Sequence, residues 1–277
     1  MLDSNRLRAF RALGIGPAWA SRAPTGGDGA NGDGQVYSDA DTHADTHADT
    51  DAIAATVPER SVADTAVRWW ELAVRVDACR ACPLGHSRQH AVFGTGSQRA
   101  RWMLIGEAPG AEEDRQGEPF VGRAGSLLDA MLKAAGLDRG RDVYIANVLK
   151  CRPSGNRNPE PIEVARCSPH LREQVELVQP TLLVLMGRFA AQTLLGTEAS
   201  IASLRGRVHQ ADVGGLQIPA VVSYHPAYLL RNPADKRLAW ADWCLARSTI
   251  SAALRQSEQP SQISVGSPDA GESPSPS

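Results

Sequence analysis

The sequence predicts an α/β fold: a three-layer α/β/α arrangement around a central four-stranded parallel sheet. Three observations carry this. Four short apolar runs, at 102–105, 143–149, 181–186 and 220–224, alternate with stretches of helical periodicity. The third run is apolar almost throughout, the pattern of a strand buried on both faces of a parallel sheet. The first run gives way to Gly106-Glu107-Ala108-Pro109-Gly110, a turn in which two glycines permit backbone angles that other residues resist.

Composition divides the chain of 277 residues into three. Residues 1–57 are rich in Ala, Asp, Gly and Thr, and 257–277 in Ser, Pro, Gly and Gln, so neither buries enough apolar surface to offset ordering entropy. The expected organisation is a disordered extension over 1–57, one catalytic domain over 58–256 and a disordered tail over 257–277. The net charge of -2 hides an asymmetry: residues 58–256 carry 25 basic against 20 acidic residues. A basic middle suits a nucleic-acid partner, although a mixed solvated surface has the same composition. No apolar run reaches the length of a membrane span and no signal-peptide pattern opens the chain, so a cytoplasmic protein without a membrane partner is expected.

Along the chain, residues 4–13 place Leu7, Phe10 and Leu13 on one side of a short helix capped by Ser4, either a frayed terminus or a segment that docks on the domain or on another protein. A repeat follows over 41–52, where His43 and His47 stand four apart beside aspartates; linker slippage and a weak metal site both account for it. Residues 61–76 have Trp69, Leu72, Ala73 and Val76 at helical spacing and lead into Cys79 and Cys82. A CxxC pair serves zinc, thiol redox and iron-sulfur sites alike. Cys151 and Cys167 complete a set of four, and Cys244 is left over as a small core residue.

Residues 106–122 read as a polar loop bearing five carboxylates (Glu107, Glu112, Glu113, Asp114, Glu118) and one aromatic, Phe120. A helix over 127–137 ends at Gly136, and the strand at 143–149 carries Asn147, a polar residue that a buried strand tolerates only when it is hydrogen-bonded. Residues 150–159 form a breaker-rich loop, 160–178 a helix, 187–195 another, and 204–208 with 217–218 a hairpin around Gly214-Gly215. The last run delivers His225 and residues 226–233 before a closing helix over 234–255. Glu107, Asn147 and His225 all stand near the C-terminal ends of strands, where ligands bind in open parallel sheets, so residues far apart in sequence should converge.

Four stretches resemble the family 4, iron-sulfur branch of the uracil-DNA glycosylase superfamily: 106–110, Pro119-Phe120-Val121-Gly122 with the Ala124-Gly125 helix start, 150–159, and His225-Pro226 through Leu230. Ser154 and Ala227 depart from the family pattern, the second removing a hydroxyl able to reach phosphate. The resemblance covers about residues 76–254. It implies the strand order 2-1-3-4, a [4Fe-4S] cluster on Cys79, Cys82, Cys151 and Cys167, a monomer, and uracil-containing DNA as partner. It implies a uracil site of Ala108, Glu113, Phe120, Asn147 and His225, with Glu113 against a thymine methyl. It implies catalysis by Glu107 and His225 with Asn156 assisting. Arg157, Tyr228, Leu229, Leu230 and Arg231 are implied to contact DNA, the leucines as a wedge. Ala108 stands where better-known superfamily members carry an aspartate, which leaves the water-activating group to other residues.

Overall fold

The computed structural model describes residues 62–258. The expected helix at 4–13, the histidine repeat at 41–52 and most of the two tails lie outside the described residues. In chain order the elements are α1 (Val62–Ala78), α2 (Leu84–Ser87), β1 (Thr95–Gly96), β2 (Trp102–Gly106), α3 (Ala111–Gln116), α4 (Arg123–Ala135), β3 (Val143–Asn147), α5 (Pro161–Val178), β4 (Leu182–Met186), α6 (Arg188–Leu195), α7 (Ile201–Leu204), β5 (Val208–Val213), β6 (Leu216–Ser223), α8 (Pro226–Arg231) and α9 (Lys236–Glu258).

The sheet is mixed and six-stranded, in the order β1-β3-β2-β4-β6-β5, which corrects the expected four-stranded parallel sheet. β3, β2, β4 and β6 run parallel, whereas β1 on one edge and β5 on the other are antiparallel to their neighbours. β1 has only two residues, too few to show a period. The hairpin arm expected at 217–218 and the strand expected at 220–224 are one continuous strand, β6, despite Pro219 between them. Proline is tolerated there because β4 begins to pair only at Ala220.

Strict alternation divides the core. Trp102, Leu104, Val143, Ile145, Leu182, Val184 and Val221 face α4 and α9, where Trp102 stacks on Trp243 with centroids 6.4 Å apart. Met103, Ile105, Tyr144, Ala146, Leu183, Leu185, Ala220 and Val222 face α5 and α6. Every residue of β2, β3 and β4 is buried, which explains why Asn147 alone interrupts their apolar sequences. Cys244 is exposed on α9 rather than in the core, because its neighbours Trp243 and Ala246 take the inward positions. Among the described residues no helix is long and apolar enough to cross a membrane.

Candidate active site

At the C-terminal ends of β2, β3, β4 and β6 lies a cleft of about 760 Å³, lined by Glu107, Phe120, Asn147, Asn156, Arg188 and His225 among others. Register explains the convergence: Gly106 pairs with Asn147 across β2 and β3, and Met186 with Ser223 across β4 and β6, so all four strands stop at one rim.

The segment expected to be a plain loop contains α3, which turns Glu113 inward. Its Oε2 accepts from the Gly110 N–H at 3.1 Å, and its Oε1 accepts from Val121 and Gly122 at 3.0 and 3.2 Å. One carboxylate thereby fixes both ends of the segment that presents Phe120. Phe120 takes a left-handed φ of 54°, uncommon for a large side chain, and its ring centroid stands 5.4 Å from that of His225. A Cβ on Gly125 would overlap the Phe120 carbonyl, and one on Gly106 would overlap Asn147 Oδ1 and the Phe120 ring. Both glycines are therefore spaces that the site requires.

Asn147 is buried at the end of β3, and its Oδ1 has no hydrogen-bond partner among the described residues. Left empty, such an atom carries a desolvation cost. His225 caps α8: its Nδ1 accepts from the Ala227 N–H at 3.1 Å, which leaves the proton on Nε2. Burial, with Arg231 adding to it, lowers the His225 pKa to about 4, so the ring is neutral near pH 7 and Nε2–H is a donor. Burial raises the Glu107 carboxyl above its usual range, and the Arg188 charge opposes that rise. Arg188 escaped sequence reasoning, although it follows Gly187 after β4 much as Glu107 follows Gly106 after β2.

Other expected site residues have different roles. Leu229 is buried at 1 % exposure in the α4–α9 core, while Leu230 is exposed at 36 %, so Leu229 is corrected from DNA wedge to core. Tyr228 lines the cleft, stacks on Tyr224 at 4.7 Å and donates to Asp235 at 2.7 Å. Arg157 is not a free cation: Glu163 holds its guanidinium through both carboxylate oxygens, at 2.9 and 2.6 Å. That pairing, first by its hydrogen bonds, lowers the Glu163 pKa and anchors the loop of Asn156. Asn156 has a left-handed φ of 55° and accepts from Arg152 at 2.8 Å. Glu112, exposed and bonded to Arg115, lies outside the chemistry.

Behind the cleft, Cys79, Cys82, Cys151 and Cys167 line one small cavity with Arg88, Lys150, Arg166 and His170. Ala108 packs between the cleft and these cysteines. Arg88 donates to Cys151 Sγ at 2.8 Å, and the Lys150 N–H to Cys167 Sγ at 3.2 Å. Burial pushes the Cys151 thiol up and Cys167 to about 11, so these two become thiolates only with a cationic group beside them. Among the described residues no three His, Cys, Asp or Glu side chains close on a point as a single metal ion needs.

Residues 93–245 match the model of the uracil DNA glycosylase superfamily. The type-4 uracil-DNA glycosylase of Archaeoglobus fulgidus is 44% identical over 160 residues, covering 56% of this chain and 80% of the relative. That of Thermotoga maritima is 42% identical over 179 residues, covering 64% and 91%. The type-5 uracil-DNA glycosylase of Pyrobaculum aerophilum is 32% identical over 151 residues, covering 50% and 66%. With the strand-end cleft, Cys151 and Cys167 inside the matched region and Cys79 and Cys82 just before it, the chain belongs to the type-4 branch of the uracil-DNA glycosylase superfamily.

Proposed function

We propose that this chain is a monofunctional uracil-DNA glycosylase that takes a flipped uracil into the strand-end cleft and hydrolyses its N-glycosidic bond, leaving an abasic site for base-excision repair. The observation that carries this reading is the unpartnered Oδ1 of Asn147, buried between Phe120 and the rim. An extruded uracil stacks on the preformed Phe120 ring, donates N3–H to Oδ1 and accepts at O4 from Nδ2. Glu113 and Ala108 shape the wall.

As the bond to N1 lengthens, its electron pair moves into the uracil ring and O2 becomes an acceptor of growing strength. The neutral His225 donates Nε2–H to it without losing its proton. The sugar gains oxocarbenium character, which the Glu107 carboxylate steadies from across the cleft while directing water to C1′. Water oxygen bonds to C1′, its proton passes to Glu107 or to the departing uracil, and Asn156 helps to hold the water. Alkaline cleavage of a uracil-containing oligonucleotide after incubation tests this; intact strands with fully folded, iron-loaded protein would refute it.

Two expectations arise from this geometry. The Glu107 pKa is raised, so its base form is lost as pH falls through that raised value, whereas His225 remains neutral down to about 4. The acid limb of kcat/KM should therefore belong to Glu107 and vanish in Glu107→Gln, a comparison that a pH-rate profile makes directly. Leu230→Ala should slow excision opposite adenine more than opposite guanine or in single strands, where unstacking costs less, and should leave Tm unchanged. Leu229→Ala should instead lower stability by about 2–5 kcal/mol and slow all substrates alike. Thermal melts beside rates on the three substrates separate them.

The four thiols, which line one cavity, fit a [4Fe-4S] cluster, whose usual ligands are cysteine thiolates. Bound there, the cluster supplies a rigid cross-link between the segments bearing Cys79, Cys82, Cys151 and Cys167. Arg88 and Lys150 offset its thiolate charge. The catalytic domain is taken as 58–256, acting as a monomer on DNA through Leu230, Arg231 and Tyr228. Five cysteines with no disulfide among the described residues favour a reducing compartment such as the cytoplasm.

A further inference from the structure

Lys150 is 1 % exposed, and although its charge offsets the thiolates, its ammonium donates to no sulfur, so its direction is accounted for neither by uracil recognition nor by thiolate ligation as described above. A charge so deeply buried is costly unless its protons are taken up, and an apolar residue of the same length would be cheaper. Nζ donates to the Asn147 carbonyl at 2.8 Å and to Gln174 Oε1 at 2.6 Å. Gln174 is itself fixed, donating from Nε2 to the Phe93 carbonyl at 2.9 Å and to the Tyr144 hydroxyl at 3.1 Å.

The peptide that follows Asn147 is therefore tied at both ends. Its carbonyl accepts from Lys150, and its N–H, on Val148, donates to the Gly106 carbonyl at 3.0 Å. Fixing that plane fixes ψ of Asn147 and hence the direction in which its side chain leaves the backbone. Lys150 is anchored in turn, by its own N–H on Cys167 Sγ and by its carbonyl, which accepts from Val92 at 2.8 Å.

We propose that Lys150 is a positioning residue for uracil recognition: its ammonium clamps the Asn147 backbone so that the amide meets the base in register, and it transmits the order of the cysteine cavity to the base pocket. This rests on the assignment of Asn147 as the uracil-reading group. The clamp lies behind the sheet end, away from Leu230 and Arg231, so it should affect capture of the base and not grip on the DNA backbone.

The test uses the full iron-loaded chain, with inhibition by free uracil and binding to abasic DNA measured on Lys150→Met, Gln174→Leu and Asn147→Ala. Lys150→Met should weaken uracil inhibition about tenfold, the scale of one charge-assisted hydrogen bond, at unchanged abasic-DNA affinity. Gln174→Leu removes the ammonium's other anchor without neighbouring a cysteine in sequence, and should weaken uracil inhibition by about threefold. A purely structural lysine would lower Tm and leave uracil inhibition at the parent value, which overturns the proposal. If Lys150→Met does not fold or load iron, Gln174→Leu decides, and unchanged uracil inhibition there overturns it equally. If Asn147→Ala also leaves uracil inhibition unchanged, the assignment of Asn147 is what fails; if it alone weakens inhibition, only the clamp does.

Discussion

Replacing Asn147 by aspartate is expected to cut excision of uracil by about a hundredfold to a thousandfold, the cost of losing one well-placed donor at a developing anion. The change is nearly isosteric, so the cleft should keep its shape, with Gly106 still leaving room beside the side chain. What changes is the order of donors and acceptors. A carboxylate offers no N–H to O4, and a buried carboxyl tends to take up a proton. In that protonated form it donates to an acceptor at position 3 and accepts from an amino group at position 4, the edge that cytosine presents. Slow release of cytosine should therefore accompany the loss on uracil. Excision rates on matched oligonucleotides carrying either base provide the check, with a melting curve to confirm folding. Parent-like activity on uracil would make Asn147 a structural tie.

The other large effect belongs to Cys151→Ala. Iron should fall from about four per chain to near none, and Tm should drop by about 10 °C, as loss of several kcal/mol would produce in a domain of this size. Cys151 is buried at 6 % exposure, receives the Arg88 guanidinium and precedes the loop of Asn156, so its removal frees a segment as well as a ligand. Metal analysis and calorimetry on anaerobically purified protein measure both. Zinc in the parent protein in place of iron would refute the cluster.

The parts of the fold that sequence made legible are those governed by a single strong period. β2, β3 and β4 are buried on both faces and read as apolar runs, each ending where a glycine, asparagine or turn begins. Edges were harder. β1 is too short to carry a period, and Pro219 masks the continuity of β6 because proline is excluded from central pairing but allowed one residue before it. Within the site, Glu107, Asn147 and His225 were legible because topology brings strand ends together, and Phe120 because its loop resembles the family's. Partners of charged groups were not. Nothing in the spacing shows that Glu163 takes up Arg157, or that Leu229 turns inward while Leu230 faces out, since one residue of helical phase decides the second and the turn from the loop into α5 the first. Lys150 looked like one more cation of a polar loop, and only its burial reveals it as a tie between two sites.

The order of the four cysteines has a consequence for how the protein is made. All four have been synthesised once Cys167 is added, before β4, β5, β6 and His225. Chains fold from the N-terminus as they are made, at about 5–20 residues per second. A nascent chain paused after α5 thus already holds the complete thiol set, Lys150 and Asn147, while the rim that closes the cleft around uracil is still missing. If the proposed cluster is bound, its ligands are therefore all made before the active-site rim, and its assembly does not have to wait for the completed cleft.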